Sequence, residues 1–330
     1  MLNILTLRPF RLLHRPSFTE AGIGWLALST SILAGSTFNV FAKLLSVDLS
    51  PLSLVFISEL LVLTFVVLSF GLVPIVRSFA SLNRSQFLKL LAMGLLSGVI
   101  SPTLWFTGLS MTSAVNASFF GKAEMLFVFL LAGLFLHERI TRAHFLAAGS
   151  ISAGLVIIAL RGFSETVTPQ VGDMLIILST VSFALGNCVY SKWLHHIPSH
   201  IALCARSTTA VIAFFLVSPF ITHSLAAEAS AFPLALIPAL LGFGFISRFI
   251  NSVAFYESIE RLPMSSISLV GSLDVILSTT VAYAVLGEPI GWYHFLGGGF
   301  VILGTLLLEL LHEPRSEHAA EQRQQRHRIP

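Results

Sequence analysis

Charge is what this sequence has least of. Only 11% of its residues are Asp, Glu, Lys or Arg, while 55% are hydrophobic and the mean hydropathy is +0.86; soluble domains carry roughly 25% charged residues. A water-soluble globular chain is excluded. Cysteine is nearly absent too. Cys188 and Cys204 both fall within or beside apolar stretches, which supports neither a disulfide framework nor a zinc site and leaves them as packing residues. No Gly-x-x-x-x-Gly-Lys-Ser/Thr loop occurs, so ATP-driven pumping by this chain is unsupported. The histidines at His195, His196 and His200, and those at His137 and His144 beside Glu138, lack the His-Glu-x-x-His spacing that puts two imidazoles on one helical face, and they read as solvated interfacial groups. No enzyme chemistry, metal or other cofactor is expected. The net charge of +3 does not imply nucleic acid, because the basic residues lie in short connections where they set topology.

What is present is a series of apolar blocks, each long enough to cross a bilayer, for which a helix needs about 20 residues. The spacing predicts helices over roughly 22–44, 52–76, 87–108, 112–136, 141–160, 172–193, 201–221, 232–256, 263–286 and 292–311. The fold class is therefore an all-α polytopic membrane protein of ten transmembrane helices. The basic start with Arg8, Arg11 and Arg15 resembles a secretory signal, but the run from Gly22 to about Leu45 is too long for one and shows no small-residue cleavage pattern. Residues 1–21 are expected to be a cytoplasmic segment. Residues 312–330 are charged and Gln-rich, too poor in aliphatics to offset the entropy of ordering, and are expected to be a disordered cytoplasmic tail.

Lys and Arg divide unevenly between the two sides. With the N-terminus inside, that side collects Arg77, Arg84, Lys89, Arg139, Arg142, Lys192, Arg261 and the basic residues of both terminal segments; the other side has Lys43 and Arg161. The bias places both termini in the cytoplasm of a cell whose plasma (inner) membrane the chain crosses.

The chain repeats itself. Glu138-Arg-Ile-Thr-Arg-Ala-His-Phe-Leu-Ala-Ala-Gly149 aligns with Glu288-Pro-Ile-Gly-Trp-Tyr-His-Phe-Leu-Gly-Gly-Gly299, and the same register sets Glu124 over Asp274 and Gly154 over Gly304. At slightly shifted registers Ser29-Thr30 lies over Ser179-Thr180, Asn39 and Lys43 near Asn187 and Lys192, and Pro51 with Glu59 over Pro198 with Arg206. The units are 22–160 and 172–311. Five helices per unit means that the second unit enters the membrane in the opposite sense, so the repeats are inverted. That arrangement lets one half rock against the other about a midplane site.

These features resemble the drug/metabolite transporter superfamily, in particular its ten-helix EamA-type members, over residues 22 to 311. The resemblance rests on the duplicated five-helix unit, on Asn39 and Lys43 at the end of the first span, and on the twice-repeated Glu followed by a Gly-studded helix. It implies transport of amino acids or other small polar metabolites through a cavity between the halves. Members often carry Pro in the middle of the fourth and ninth spans, where this chain has Glu124-Met125 and Asp274-Val275, so the carboxylates are kept without a proline kink.

Glu59, Lys122, Glu124, Arg206, Arg248 and Asp274 lie inside the predicted spans. A charge at the bilayer centre costs at least about 2.5 to 3.5 kcal/mol, so these groups must face one another or water. Glu124 and Asp274 are candidates for substrate or proton binding, weighed against halves of structural ion pairs. Lys122 is set about 200° from Glu124 around a helix, so the two share no face unless the helix unwinds; Glu59 is the expected counter-ion of Lys122. Arg206 is expected either to snorkel to the interface or to line the site. Arg248 is a candidate to grip a carboxylate. Asn39, Asn187 and the run Ser265, Ser268 and Ser272 can line a polar cavity or hydrogen-bond neighbouring helices; Trp105, Phe106, Phe255 and Tyr256 can wall it or pack. Glu138 and Glu288 are expected to complement the N-termini of the fifth and tenth helices. Gly149, Gly154, Gly297, Gly298, Gly299 and Gly304 allow close helix contact, between the halves or in a homodimer.

With both signs of charge available, the reading is a secondary carrier, an exporter or exchanger, for an amino acid or derivative, with proton coupling as the candidate energy source. Organic anions and sugar- or nucleotide-type metabolites are the alternative cargo. A non-transporting scaffold or sensor is the rival from another class.

Overall fold

The computed structural model describes residues 20–131, 134, 142–161, 170–194, 197–220, 228, 230–259, 261–262, 271 and 273–311, and these are helical apart from short connections. In hydrocarbon every backbone N–H and C=O has to be satisfied within its own segment, which leaves the helix as the solution for such apolar runs. Span 1 is Glu20–Leu45, span 2 Pro51–Phe70, span 3 Arg84–Met111, span 6 Val171–Leu194, span 7 His200–Phe220 and span 8 Leu234–Phe255, each long and apolar enough to cross a membrane. Span 4 is made of Ala114–Phe120 and Ala123–Leu131, span 5 is Arg142–Ala159, span 9 Leu273–Leu286 and span 10 Trp292–Leu311. Leu33, Leu68, Phe215 and Phe295 are more than half exposed, as lipid-facing side chains must be. The terminal segments expected at 1–21 and 312–330 lie outside the described residues but for Glu20 and Ala21.

Local chemistry sets the ends. Span 2 starts at Pro51 behind Ser50, whose side chain accepts from the Ser53 N–H. It stops at Phe70, short of the expected 76, because Gly71 adopts φ +81. The remaining apolar residues form a separate short helix, Leu72–Ala80, with Leu72, Val73 and Val76 exposed beside Arg77. Span 3 opens with a reciprocal capping box between Asn83 and Gln86.

The repeats pack about a pseudo-twofold axis. Spans 2 and 7, 4 and 9, and 5 and 10 pair with their own equivalents, while spans 1 and 8 pair as spans 6 and 3 do. Ser150 donates to the carbonyl of Phe300, its own repeat equivalent, at 2.8 Å. A Cβ on Gly297 would lie 2.6 Å from the Gly154 carbonyl oxygen, and one on Gly304 the same distance from the Ala147 carbonyl oxygen. Only glycine allows spans 5 and 10 to approach this closely. Gly149 and Gly299, by contrast, have nothing within 4 Å and do not contribute to that contact. Ser31 bonds Asn251 at 2.7 Å and, in the mirror pair, Ser179 bonds Ser101 at 3.0 Å. Ser31, not Ser29, is therefore the partner of Ser179, the register that Asn39 and Asn187 also follow.

Three departures from regular helix bear on the site. Wide i→i+5 turns occupy Leu95–Ile100 in span 3 and Phe243–Ile250 in span 8, at equivalent places in the two repeats. Such turns inside helices often mark functional positions. Span 4 is interrupted at Gly121 and Lys122, where the Lys122, Glu124 and Met125 amides bond three residues back rather than four.

Candidate functional site

The buried charges fall into two groups. In the first, Glu59 of span 2 is fully buried and accepts from Ser207 Oγ at 2.6 Å and from Arg248 Nη2, while Arg206 Nη2 stands 3.5 Å away. Glu59 and Arg206 are repeat equivalents, so this ion pair straddles the pseudo-axis. The expected Glu59 to Lys122 pair does not form. Span 2 packs on spans 7 and 8, whose arginines reach the carboxylate, whereas Lys122 is carried by span 4 against span 9. Arg206 does not snorkel outward; it turns in, 20% exposed, with its Nε buried and without a hydrogen-bond partner. Arg248 is held by Glu59 and lies 5.7 Å from the centre of the Phe38 ring.

The second group forms at the break in span 4. Lys122 Nζ is 3.7 Å from Asp274 Oδ2, with the two side chains 18% and 35% exposed. Asp274 also accepts from Ser278 Oγ at 3.3 Å, and Glu124 accepts from Asn187 Nδ2 at 3.2 Å. Glu124 sits in the first turn of Ala123–Leu131, where a carboxylate complements the helix dipole. The break supplies the unwinding that Lys122 and Glu124 needed in order to serve one site, and it occurs at a glycine without any proline.

An aromatic wall stands between the groups. Phe38 packs edge-on against Trp105 with centroids 6.2 Å apart, and Trp105 Nε1 donates to Asn39 Oδ1 at 3.3 Å. Asn39 in turn donates to Ser118 of span 4 at 3.0 Å. Trp105 is seated against the break itself: a Cβ at Gly121 would lie 2.7 Å from the indole. Asn39, Asn187 and Trp105 thus converge on Lys122, Glu124 and Asp274, while Glu59, Arg206 and Arg248 form a separate cluster. Phe106 is fully buried packing rather than wall, and Phe255 is 38% exposed at the surface. Ser265, Ser268 and Ser272, Glu138, and His137, His195 and His196 lie outside the described residues, as does the side chain of Tyr256. His200 stacks on Phe70 at 4.7 Å.

A third polar assembly joins residues that the sequence does not bring together. At the end of the bundle away from the described start of span 1, both carboxylate oxygens of Glu288 accept from the backbone N–H groups of Ala114 and Val115, each at 2.9 Å. Glu288 therefore caps span 4, not the tenth helix it precedes. Lys43 Nζ donates to the carbonyls of Leu109 and Thr112 at 2.6 Å, satisfying the last turn of span 3. Asp173 accepts from Thr112 Oγ1 and Asn116, His294 Nε2 meets Asn116 Oδ1 at 3.1 Å, and Glu228 accepts from Ser50 N and Oγ at 3.2 Å. Apart from Lys43, every tie joins a residue of the second repeat to the first. The sequence marked Lys43, the matched Glu288 and the matched His294 without showing that they meet; Asp173 and Glu228 carry no repeat signal, one opening span 6 and the other lying between spans 7 and 8.

An all-helical bundle of inverted five-helix units, with opposed charges at a broken helix on the pseudo-axis, defines a polytopic membrane protein built like a transporter. The chain matches the EamA-like transporter family over residues 22–160 and 170–310, and it belongs to that family. It is similar to an uncharacterized transporter of Methanothermobacter thermautotrophicus, 28% identical over 235 residues, covering 70% of this chain and 67% of the relative. It is also similar to the uncharacterized transporter YyaM of Bacillus subtilis, at 24% identity over 85% of this chain and 91% of the relative. One solved crystal structure aligns with a TM-score of 0.58 at 17% identity, covering 87% of this chain and 96% of its own, which is a likeness of fold. Family membership makes this a multi-pass membrane transporter rather than an enzyme.

Proposed function

We propose that the chain is a secondary transporter that exports or exchanges an amino acid or a derivative of one by alternating access, in the plasma (inner) membrane with both termini cytoplasmic. The carrying observation is the partly exposed Lys122 to Asp274 pair beside Glu124, at the break in span 4. A zwitterion offers one carboxylate and one ammonium. Lys122 matches the former, and Asp274 and Glu124 match the latter, with Asn187, Asn39 and Trp105 as lining groups. Carboxylates in a cavity that alternates between faces also suit proton exchange, the energy source under this reading.

Glu59, Arg206 and Arg248 take a different role here. A fully buried carboxylate that accepts from Ser207 and Arg248 and faces Arg206 is compensated without cargo, so this cluster serves as a fixed point on the axis about which the halves move. The ties through Glu288, Asp173, His294 and Glu228 hold one end shut, and opening toward that end requires their release.

The test is untargeted metabolite analysis of medium from cells expressing wild type, Glu124→Gln or Asp274→Asn, with membrane levels matched. A compound enriched only with wild type names the cargo and supports the role of both acids. Equal profiles, together with equal uptake of labelled amino acids, would overturn the reading. Exchange in proteoliposomes that does not vary with pH would refute the proton coupling alone.

A further inference from the structure

Spans 3 and 6 leave a groove of about 570 Å³ at the end of the bundle where span 3 begins and span 6 ends. It is lined by Arg84, Ser85, Leu88, Lys89, Ala92, Val189 and Trp193. Trp193 is 41% exposed, and two ammonium groups stand over its ring, Lys89 Nζ at 5.6 Å and Lys192 Nζ at 5.2 Å from the centroid. A cation over an indole face is held in place without losing its charge, and Trp favours the boundary between hydrocarbon and headgroups. Arg84 opens span 3 at the same mouth, where the helix dipole adds to the positive field.

Among the described residues no carboxylate lines this groove, and the chain places no Asp or Glu between Glu59 and Glu124 or between Asp173 and Glu228. The charges that spans 3 and 6 bring to this end are therefore basic. Below the mouth the walls are apolar, and Leu88, Leu91 and Leu95 are exposed in a row along span 3. A small inorganic anion would leave this apolar surface uncovered; a neutral lipid would bring no charge to match Arg84 and Lys89.

We propose that the groove is a binding site for an anionic phospholipid. Its phosphate sits among Arg84, Lys89 and Lys192 over the Trp193 edge, and its acyl chains run along Leu88, Leu91 and Leu95. Basic pockets between membrane helices bind acidic headgroups in this way. The site is separate from the transport reading and stands or falls without it.

The experiment uses the full chain, purified in a mild non-ionic detergent and titrated with phosphatidylglycerol or phosphatidylcholine of identical acyl chains, with bound lipid counted by native mass spectrometry. Wild type should retain phosphatidylglycerol in preference to phosphatidylcholine, and Lys89→Gln with Lys192→Gln should weaken that retention by about tenfold or more, at roughly 1 kcal/mol per basic residue. A control pair, Arg77→Gln with Arg142→Gln, should leave it intact. Phosphatidylglycerol should also raise the thermal midpoint of wild type and not that of the Lys89 and Lys192 variant, whose midpoint without lipid should be unchanged. Equal retention of both lipids, equal loss in the control pair, or displacement of the lipid by millimolar inorganic phosphate would each overturn the proposal.

Discussion

Glu59→Gln separates a structural charge cluster from a working one. The carboxylate is fully buried, and its partners Arg248 and Arg206 are 11% and 20% exposed. Gln keeps the shape and one acceptor oxygen for Ser207 but removes the charge that two guanidinium groups depend on. Breaking a buried ion pair by removing one partner costs about 3 to 5 kcal/mol, because the other charge is left uncompensated. Removing both ends of the pair costs far less, since nothing charged remains stranded; Arg206, the more exposed arginine, can then turn toward water. Glu59→Gln should therefore lower the unfolding free energy in detergent by about 3 kcal/mol or more, and Glu59→Gln with Arg248→Gln should recover most of that loss, giving a coupling above about 2 kcal/mol. Chemical unfolding of the four proteins of this cycle, followed by tryptophan fluorescence, measures both quantities. If the single variant lies within about 0.5 kcal/mol of wild type, or if the two single losses simply add, the cluster is not the compensated pivot described above.

Neutralising Lys122 or Asp274 should have the opposite signature: a stability loss under about 1 kcal/mol for a partly exposed pair, with exchange in proteoliposomes abolished. Gly121→Leu should stop exchange as well, because the added side chain meets the Trp105 indole, and expression with a normal thermal midpoint would show that the effect is local. Gly304→Val should destabilise by about 1 to 3 kcal/mol through overlap with the Ala147 carbonyl, whereas Gly149→Ala, with nothing within 4 Å, should be neutral or slightly stabilising through helix propensity; thermal unfolding compares the two. Glu288→Gln weakens the clamp on the Ala114 and Val115 amides, so Asn116→Cys in that background should react with an impermeant thiol reagent several times faster than Asn116→Cys alone.

The fold was largely legible because lipid simplifies the problem. With water absent from the hydrocarbon, apolar length alone dictates a spanning helix, and duplication printed the pairing of spans into the sequence as matched Glu, His and Gly. Even the on-axis contact between Ser150 and Phe300 follows from the 150-residue register. Local backbone was harder. The end of span 2 at Gly71 hid inside a continuous apolar run, and the wide turns at Leu95–Ile100 and Phe243–Ile250 carry no composition of their own.

The sequence by itself determined that six charges had to be buried, that they came in balanced signs, and that two of the acids occupied equivalent places. Charge alone cannot choose partners, since any of the three cations satisfies any of the three carboxylates at the level of composition. The tertiary structure made that choice. Spans 2, 7 and 8 meet where Glu59, Arg206 and Arg248 face inward, and spans 4 and 9 meet at a helix break that turns Lys122 toward Asp274. Pairing in a low-dielectric interior depends on distances of a few ångströms, and those distances are set by which helix faces pack together.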